Sequence, residues 1–207
     1  MPPHGGGMKG ACHSHDPEYP DDDWNLYTQL VPGETTGLNV ANRGDVVSVF
    51  KPYALRMMEP TIFSDGDEEI MIIAKFISPV HIRKICIIGG GEEPQHPSLV
   101  KCYVNHENLD FTNIEAVRPA QQFELGINTD GSAELYPPVH QFTNVNTLVM
   151  FFPSNHGHDV TGIKYIGLQG EHTHYRREPV DATYEVLCNG QDIHQPEDAL
   201  GGTADMR

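Results

Sequence analysis

The sequence predicts an all-β fold, because short apolar runs with strand-like patterning recur between Phe50 and Glu171. Clusters of Gly, Asn, Asp and Pro separate these runs at short intervals, and the sequence contains neither internal repeats nor coiled-coil heptads. Short strands at this spacing are typical of a β-sandwich or a β-barrel. No catalytic constellation is found along the runs. We therefore expect the functional residues in loops, strand edges and terminal segments, and we expect the protein to bind a partner and not to catalyse a reaction.

The length of the chain, 207 residues, suits one domain of roughly 150 to 170 residues with a terminal segment on each side. Residues 1–23 are rich in Gly, His, Pro and Asp, so they are expected to form a flexible tail. The domain is expected over residues 24–190, and residues 191–207 are expected to form a second flexible tail.

The first predicted element is a short helix that begins after Asp21-Asp22-Asp23 and ends at Pro32-Gly33. Acidic residues before the first turn, followed by apolar residues at Trp24 and Tyr27, are typical of a helix start. The composition of residues 39–45 then predicts a turn.

Five strands are predicted from apolar runs, at residues 70–76, 80–88, 99–105, 147–152 and 163–168. The third run alternates in polarity, which predicts a half-buried strand. The fourth is apolar on both faces, which predicts a central strand. In the second, the apolar phase slips near Arg83-Lys84, which predicts a β-bulge. Residues 128–131 predict a tight turn.

The chain is strongly acidic, with 13 basic and 29 acidic residues and a formal net charge of −16. An acidic surface repels phosphate groups and anionic lipids, so binding to nucleic acid or to a membrane is not expected. The charge suits a basic protein partner, although acidic charge is more often simply a means of solubility.

The cysteines indicate a reducing compartment. Cys12, Cys86, Cys102 and Cys188 form no C-x-x-C pair, and two of them lie inside apolar runs, where a thiol behaves as a small hydrophobic group. The N-terminus lacks the apolar region of a signal peptide, and no run approaches the length of a membrane span. We therefore expect reduced thiols and a location in the cytoplasm or the nucleus. We also expect the protein to be a monomer.

Two groups of side chains have the chemistry of zinc or copper ligands. The first lies in the N-terminal tail without a scaffold, and the second requires two loops to meet. The acidic turn at residues 64–69 does not fit an EF-hand, because its closing position falls on Phe76. We therefore expect no metal, no cofactor and no catalytic residue. The two groups are His4, Cys12, His13 and His15, and His156, His158, His172 and His174.

Several segments follow one another in a specific order, although each segment alone is unspecific. The segments are Phe50-Lys51-Pro52, the acidic turn at 64–69, Pro97-Ser98 before the strand at 100–105, residues 142–146 and residues 165–171. Their joint order resembles the PITH domain, the C-terminal proteasome-interacting domain of thioredoxin-like proteins. The resemblance extends roughly from Trp24 to Glu185.

The resemblance implies a galactose-binding-like jelly roll of two antiparallel sheets with Greek-key connections, in agreement with the strands predicted from the residues. It also implies association with the proteasome, as in family members where the domain follows a thioredoxin module. No such module precedes residue 24, so the redox activity of the two-domain relatives is not expected. The resemblance transfers no catalytic residue.

We therefore expect a non-catalytic protein-interaction module, with the proteasome as the implied partner. Core or edge packing of Phe50 and Tyr53 is an alternative to their exposure on a partner surface. A jelly-roll module that binds a glycan or a peptide is the second functional hypothesis, with Trp24, Tyr53 and Tyr136 as aromatic candidates. The candidate partner surface consists of Phe50, Lys51, Pro52, Tyr53, Asp65, Asp67, Glu68 and Glu69.

Overall fold

The computed structural model of the chain describes residues 23–173. The predicted terminal tails and the end of the predicted domain at residues 174–190 lie outside the described residues. So do the tail histidines with Cys12, and His174 of the second histidine group. In the described part of the chain, no helix is long and apolar enough to cross a lipid bilayer.

The described residues form eight strands, which are β1 Thr36–Leu38, β2 Ile62–Phe63, β3 Ile70–Gly89, β4 Leu99–Val104, β5 Gln121–Glu124, β6 Glu134–Leu135, β7 Val145–Phe152 and β8 Gly162–His172. They form a continuous hydrogen-bonded sheet in the order β2-β8-β3-β7-β4-β5, and β1 and β6 also pair with β3. Every strand pair is antiparallel.

The longest strand, β3, combines two strands that the sequence predicts separately. Its first part pairs with β7 from Ile70 to Lys75, and its second part pairs with β8 from Val80 to Gly89. The register shifts between Lys75 and Val80, around the exposed Ile77. In the sequence, the same residues separate the two predicted apolar runs. Because each part pairs with a different strand, β3 contributes to both layers of a sandwich.

The main core lies between these two layers. Its fully buried side chains alternate along the strands, as they must when one face of each strand points inward. Both parts of β3 contribute to it, together with inward-facing residues of β4, β7 and β8. Its members on the strands include Ile70, Ile72, Val80, Ile82, Ile85, Val100, Cys102, Leu148, Met150, Phe152, Ile163 and Leu168.

Two smaller clusters bury the outer faces of the same strands. Met71, Tyr103 and Val149 pack under the segment that follows β4, and Cys86 with Tyr165 packs under Trp24 on the other layer. This corrects the prediction of a half-buried β4, because Tyr103 on its outer face is also buried. The prediction of a central strand at residues 147–152 is confirmed, since β7 lies between β3 and β4 and is almost wholly buried.

The predicted short N-terminal helix is confirmed as a single 3-10 helix. The side chains of Trp24 and Leu26 are buried against the sandwich, which explains why this short segment is ordered without a long amphipathic pattern. The 3-10 helices of residues 23–173 are Asn25–Gln29, Arg43–Val49, Tyr53–Leu55, Glu93–Gln95 and Ile114–Ala116.

The predicted bulge and the predicted turn are both present. The pairing of β3 with β8 shifts between Ile82 and Lys84, where the apolar phase slips in the sequence. Asn128 fixes the turn before β6: its side chain accepts a hydrogen bond from the Gly131 N–H at 3.0 Å and donates one to the Ile87 carbonyl at 2.7 Å. Gly131 has a φ of 85°, which favours glycine there.

Candidate functional site

Several loops meet at the end of the sandwich where β2 and β7 end and β8 begins. The Ser64 N–H donates to the Thr161 carbonyl at 2.9 Å, which joins the acidic turn to the segment between β7 and β8. The His156 N–H donates to the His96 carbonyl at 3.1 Å, which joins that segment to the one between β3 and β4. We call this region the loop end of the sandwich.

The acidic turn is held by hydrogen bonds at its base. The Asn39 side-chain amide donates to the Asp67 carboxylate at 2.5 Å and to the Glu69 carbonyl at 2.6 Å. The Asp67 carboxylate also accepts the Glu69 N–H at 3.0 Å, and the Thr161 hydroxyl donates to the Glu68 carbonyl at 2.6 Å. Asp67 therefore stabilises the turn itself, whereas the exposed Asp65 and Glu68 side chains extend from it.

Glu69 differs from the other acids of the turn because it is partly buried. Burial raises the pKa of its carboxyl group, and the negative charges of Asp67, Glu68 and Glu115 raise it further, whereas Lys101 opposes the shift. Glu69 therefore lies in a local cluster of acidic side chains.

The aromatic block of the predicted partner surface, Phe50–Tyr53, contains one buried residue, Phe50, in agreement with the alternative of core packing. Its side chain is 6% exposed and belongs to the main core, because the preceding 3-10 helix turns its apolar face towards the sandwich. Lys51, which donates to the Met58 carbonyl, and Pro52 are both partly exposed. Burial lowers the pKa of the Lys51 ammonium.

Tyr53 packs in an aromatic cluster and is only partly exposed. Its ring stacks on Trp24 with centroids 6.0 Å apart, and it meets the edge of Tyr165 at 6.2 Å. The Arg56 guanidinium lies 4.1 Å from the centre of the Tyr53 ring. Of the predicted surface, the acidic turn therefore presents side chains to solvent, while the aromatic block mainly packs inward.

The aromatic candidates for glycan binding have other neighbours. Trp24 is the only tryptophan of the chain and is 7% exposed, so its faces are covered by protein. Tyr136 is 63% exposed, and its hydroxyl donates to the Glu134 carboxylate. These positions do not form the open aromatic platform that the second functional hypothesis requires.

The second histidine group is not assembled into a metal site in the described residues. His158 Nδ1 accepts the Val160 N–H at 3.1 Å, and His156 is exposed. No group of three or more His, Cys, Asp or Glu side chains within residues 23–173 is arranged to hold a metal ion.

A cavity of about 100 Å³ opens at the loop end beside His96. Its walls are mainly apolar, and it is named here the His96 cavity. His96 is 4% exposed, and no described residue hydrogen-bonds its Nδ1 atom. The ring lies directly over Gly89, where an added Cβ would be 2.1 Å from the ring. The cavity is lined by Ile87, Gly89, His96, Pro97, Glu124, Leu125, Gly126, Asn128, Ala133 and Leu135.

Acidification should destabilise the protein through His96. Burial lowers the pKa of His96 below its usual 6.5, with smaller effects of nearby charges. The unfolded chain then binds more protons as the pH falls below 6.5, so the free energy of unfolding decreases towards the folded-state pKa. Urea unfolding at about pH 7.5 and about pH 5.5 should show a smaller loss for His96→Gln than for the unaltered chain. An equal loss in both proteins would contradict this assignment.

A second cavity, of about 190 Å³, lies between the acidic turn and the segment that follows β4. We call it the Tyr103 cavity. Sequence reasoning did not identify it, because its walls come from segments far apart in the chain, and the sequence carries no motif that joins them. It is lined by Glu69, Lys101, Tyr103, Phe111, Ile114, Glu115, Phe151 and Pro153.

Comparison of the sequence with known proteins identifies its family. The PITH domain matches residues 16–187. The chain is 34% identical to PITH domain-containing protein 1 of Dictyostelium discoideum, covering 88% of this chain and 90% of that protein. It is 33% identical to PITH domain-containing protein 1 of Homo sapiens, covering 92% of each chain. A PITH domain-containing protein of Drosophila melanogaster is 36% identical, covering 82% of this chain and 81% of the relative.

Solved structures support the fold. The chain is similar to the structure of the CBM32-1, CBM32-2 and M60 catalytic domains of ZmpB from Clostridium perfringens, with a TM-score of 0.51 and 8% identity. That likeness covers 74% of this chain and 16% of the other. At such low identity it shows the fold alone, and it confirms the predicted galactose-binding-like jelly roll. With its sequence matched over most of its length and its predicted architecture confirmed, the chain belongs to the PITH domain family.

Proposed function

We propose that the protein is a non-catalytic interaction module that associates with the proteasome through its acidic turn. The proposal starts from the family, because the resemblance to the PITH domain implies proteasome association. The matched relatives are named as domain-containing proteins and not as enzymes. We further propose that it acts as a monomer in the cytoplasm or the nucleus, where unpaired thiols such as those of Cys86 and Cys102 persist.

The observation that carries this proposal is the arrangement of the acidic turn. Asn39 and Thr161 fix its backbone, while the Asp65 and Glu68 side chains remain exposed. Because the backbone of the turn is already ordered, little conformational entropy is lost when a partner neutralises these carboxylates, which favours association. Complementary charge also increases the rate of encounter and disfavours acidic partners.

Reversing the charges of Asp65 and Glu68, the two exposed acids whose side chains do not anchor the turn, should abolish most partner binding. We expect the variant Asp65→Lys/Glu68→Lys to recover proteasome subunits from a cell lysate at least about tenfold less efficiently than the unaltered chain. The structural bonds of the turn use the backbone of these residues, so the fold should persist. Affinity capture with the tagged full-length chain, followed by quantitative mass spectrometry, measures the recovery.

A matched control distinguishes the effect of the position of the reversed charges from the effect of the net charge. The variant Asp23→Lys/Glu107→Lys reverses two exposed acids outside the turn and changes the net charge by the same amount. It should recover proteasome subunits as efficiently as the unaltered chain. Equal recovery by all three proteins would remove the acidic turn from the proposal, and the absence of proteasome subunits from every sample would overturn proteasome association.

A further inference from the structure

We infer that the Tyr103 cavity binds the guanidinium group of an arginine side chain presented by a protein partner. The inference rests on the proposed function, because it names the chemistry that a partner of the acidic turn would place beside it. Four features support it: the charge of the cavity, its aromatic walls, the Tyr103 hydroxyl and its size.

The charge of the cavity favours a cation. Glu69 and Glu115 contribute two carboxylates to its wall, whereas Lys101 contributes one ammonium group. Burial raises the pKa of Glu69, and the negative charges of Asp67, Glu68 and Glu115 raise it further, as expected for acids that repel one another. A second cation would reduce this repulsion, whereas an anion would increase it.

The aromatic walls favour a planar cation. The rings of Phe111 and Phe151 meet edge to face, with centroids 5.9 Å apart. The Lys101 ammonium already lies 5.8 Å from the centre of the Phe151 ring, so a cation occupies this environment in the folded chain. A guanidinium group stacks on aromatic rings and is more weakly hydrated than an ammonium group, so arginine should bind better than lysine.

Tyr103 adds a hydrogen-bonding group to the cavity. The residue is 2% exposed, and no other described residue forms a hydrogen bond with its hydroxyl group. A tyrosine hydroxyl oxygen accepts hydrogen bonds, and a guanidinium N–H in the cavity would supply a donor. This contribution to binding is independent of the acidic charge.

The size of the cavity is sufficient for this group. Its volume of about 190 Å³ exceeds that of the engineered cavity of roughly 150 Å³ that binds benzene. A guanidinium group has fewer heavy atoms than benzene, so part of the aliphatic stem can enter with it. The His96 cavity, at about 100 Å³ and with mainly apolar walls, offers neither this volume nor this charge.

Titration of the isotopically labelled full-length chain with N-acetyl-arginine amide tests the inference by NMR. We expect saturable shifts at the backbone amides of Lys101, Tyr103, Phe111 and Glu115. The neutral isostere N-acetyl-citrulline amide should bind at least about tenfold more weakly, and N-acetyl-lysine amide about threefold more weakly. Equal binding of the citrulline compound, or shifts confined to other residues, would overturn the inference.

Substitutions that are expected to change the affinity for the arginine compound in opposite directions make the test specific. Glu115→Gln should weaken binding of the arginine compound about fivefold, and Tyr103→Phe about threefold. Lys101→Gln should strengthen it about threefold, because it removes the competing cation. Glu124→Gln, a change of an exposed acid outside the cavity, should leave it unchanged. Weaker binding by Lys101→Gln, or unchanged binding by Glu115→Gln, would contradict the assignment. Unchanged midpoints of thermal unfolding establish that each variant is folded.

The failure of this inference is distinguishable from the failure of the proposed function. Loss of the arginine titration together with retained recovery of proteasome subunits would overturn the cavity assignment alone. A retained titration without such recovery would overturn the proteasome proposal alone. Undiminished recovery by Glu115→Gln would show that the cavity does not hold an arginine of that partner.

Discussion

Replacing Phe50 by alanine should lower the free energy of unfolding by about 3–5 kcal/mol. The side chain is 6% exposed and packs in the main core with Val46 and Val49 of the preceding 3-10 helix. The substitution removes a large buried ring and leaves a cavity that the surrounding strands fill only partly. Equilibrium unfolding in urea, monitored by circular dichroism, measures the change.

Tyr136→Ala is the matched control for this prediction, because it removes an aromatic ring of similar size from the surface. Tyr136 is 63% exposed, and its expected cost is below about 1 kcal/mol. Equal destabilisation by the two substitutions would contradict the burial of Phe50. Reduced partner capture by Phe50→Ala would report loss of folded protein, so the surface charges Asp65 and Glu68 provide the cleaner test of binding.

The layered β architecture was predictable because period-two patterns depend on local sequence. Residues 147–152 are apolar on both faces, and this alone indicates a central strand. The slip at Arg83-Lys84 likewise predicts the bulge that the pairing with β8 contains. The continuity of β3 through Ile77 was not predictable, because an exposed apolar residue and a proline at position 79 resemble the end of a strand.

Burial of outer faces depends on contacts that local patterns do not encode. Tyr103 alternates with Val100 and Cys102 in a way that is typical of a solvent-facing position. It is buried because Leu109 and Ile114, in the segment that follows β4, cover that face of the layer. The same limitation applies to Phe50, whose sequence neighbours suit a surface and a core equally well.

The two parts of the candidate site differ in the same respect. The acidic turn is visible in the sequence because its acids are consecutive, although the anchoring role of Asp67 requires Asn39, which lies 28 residues away. The Tyr103 cavity combines Glu69, Glu115 and Phe151, which approach one another only when β3, β4 and β7 are paired. Long-range pairing of this kind cannot be inferred from the spacing of residues in one sequence.

Cys102 should react with iodoacetamide at least about a thousandfold more slowly in the folded chain than in the unfolded chain. Burial raises the pKa of its thiol to about 12, so far fewer folded than unfolded molecules carry the thiolate, which is the reactive form. Burial raises the pKa of Cys86 to about 11, so its protection by the same mechanism is smaller, about a hundredfold. Peptide mass spectrometry after timed labelling, with and without urea, measures each site separately.

Rapid labelling of Cys102 in the folded chain would contradict its place in the main core, and a second variant makes the test sharper. With the direct reaction suppressed, labelling of Cys102 requires transient opening of the structure, and the population of open molecules follows the free energy of unfolding. Phe50→Ala, which costs about 3–5 kcal/mol, should then accelerate labelling by about two to four powers of ten. Acceleration at Cys102 without a comparable loss in urea stability would show that Phe50 restrains a local opening and not the global core.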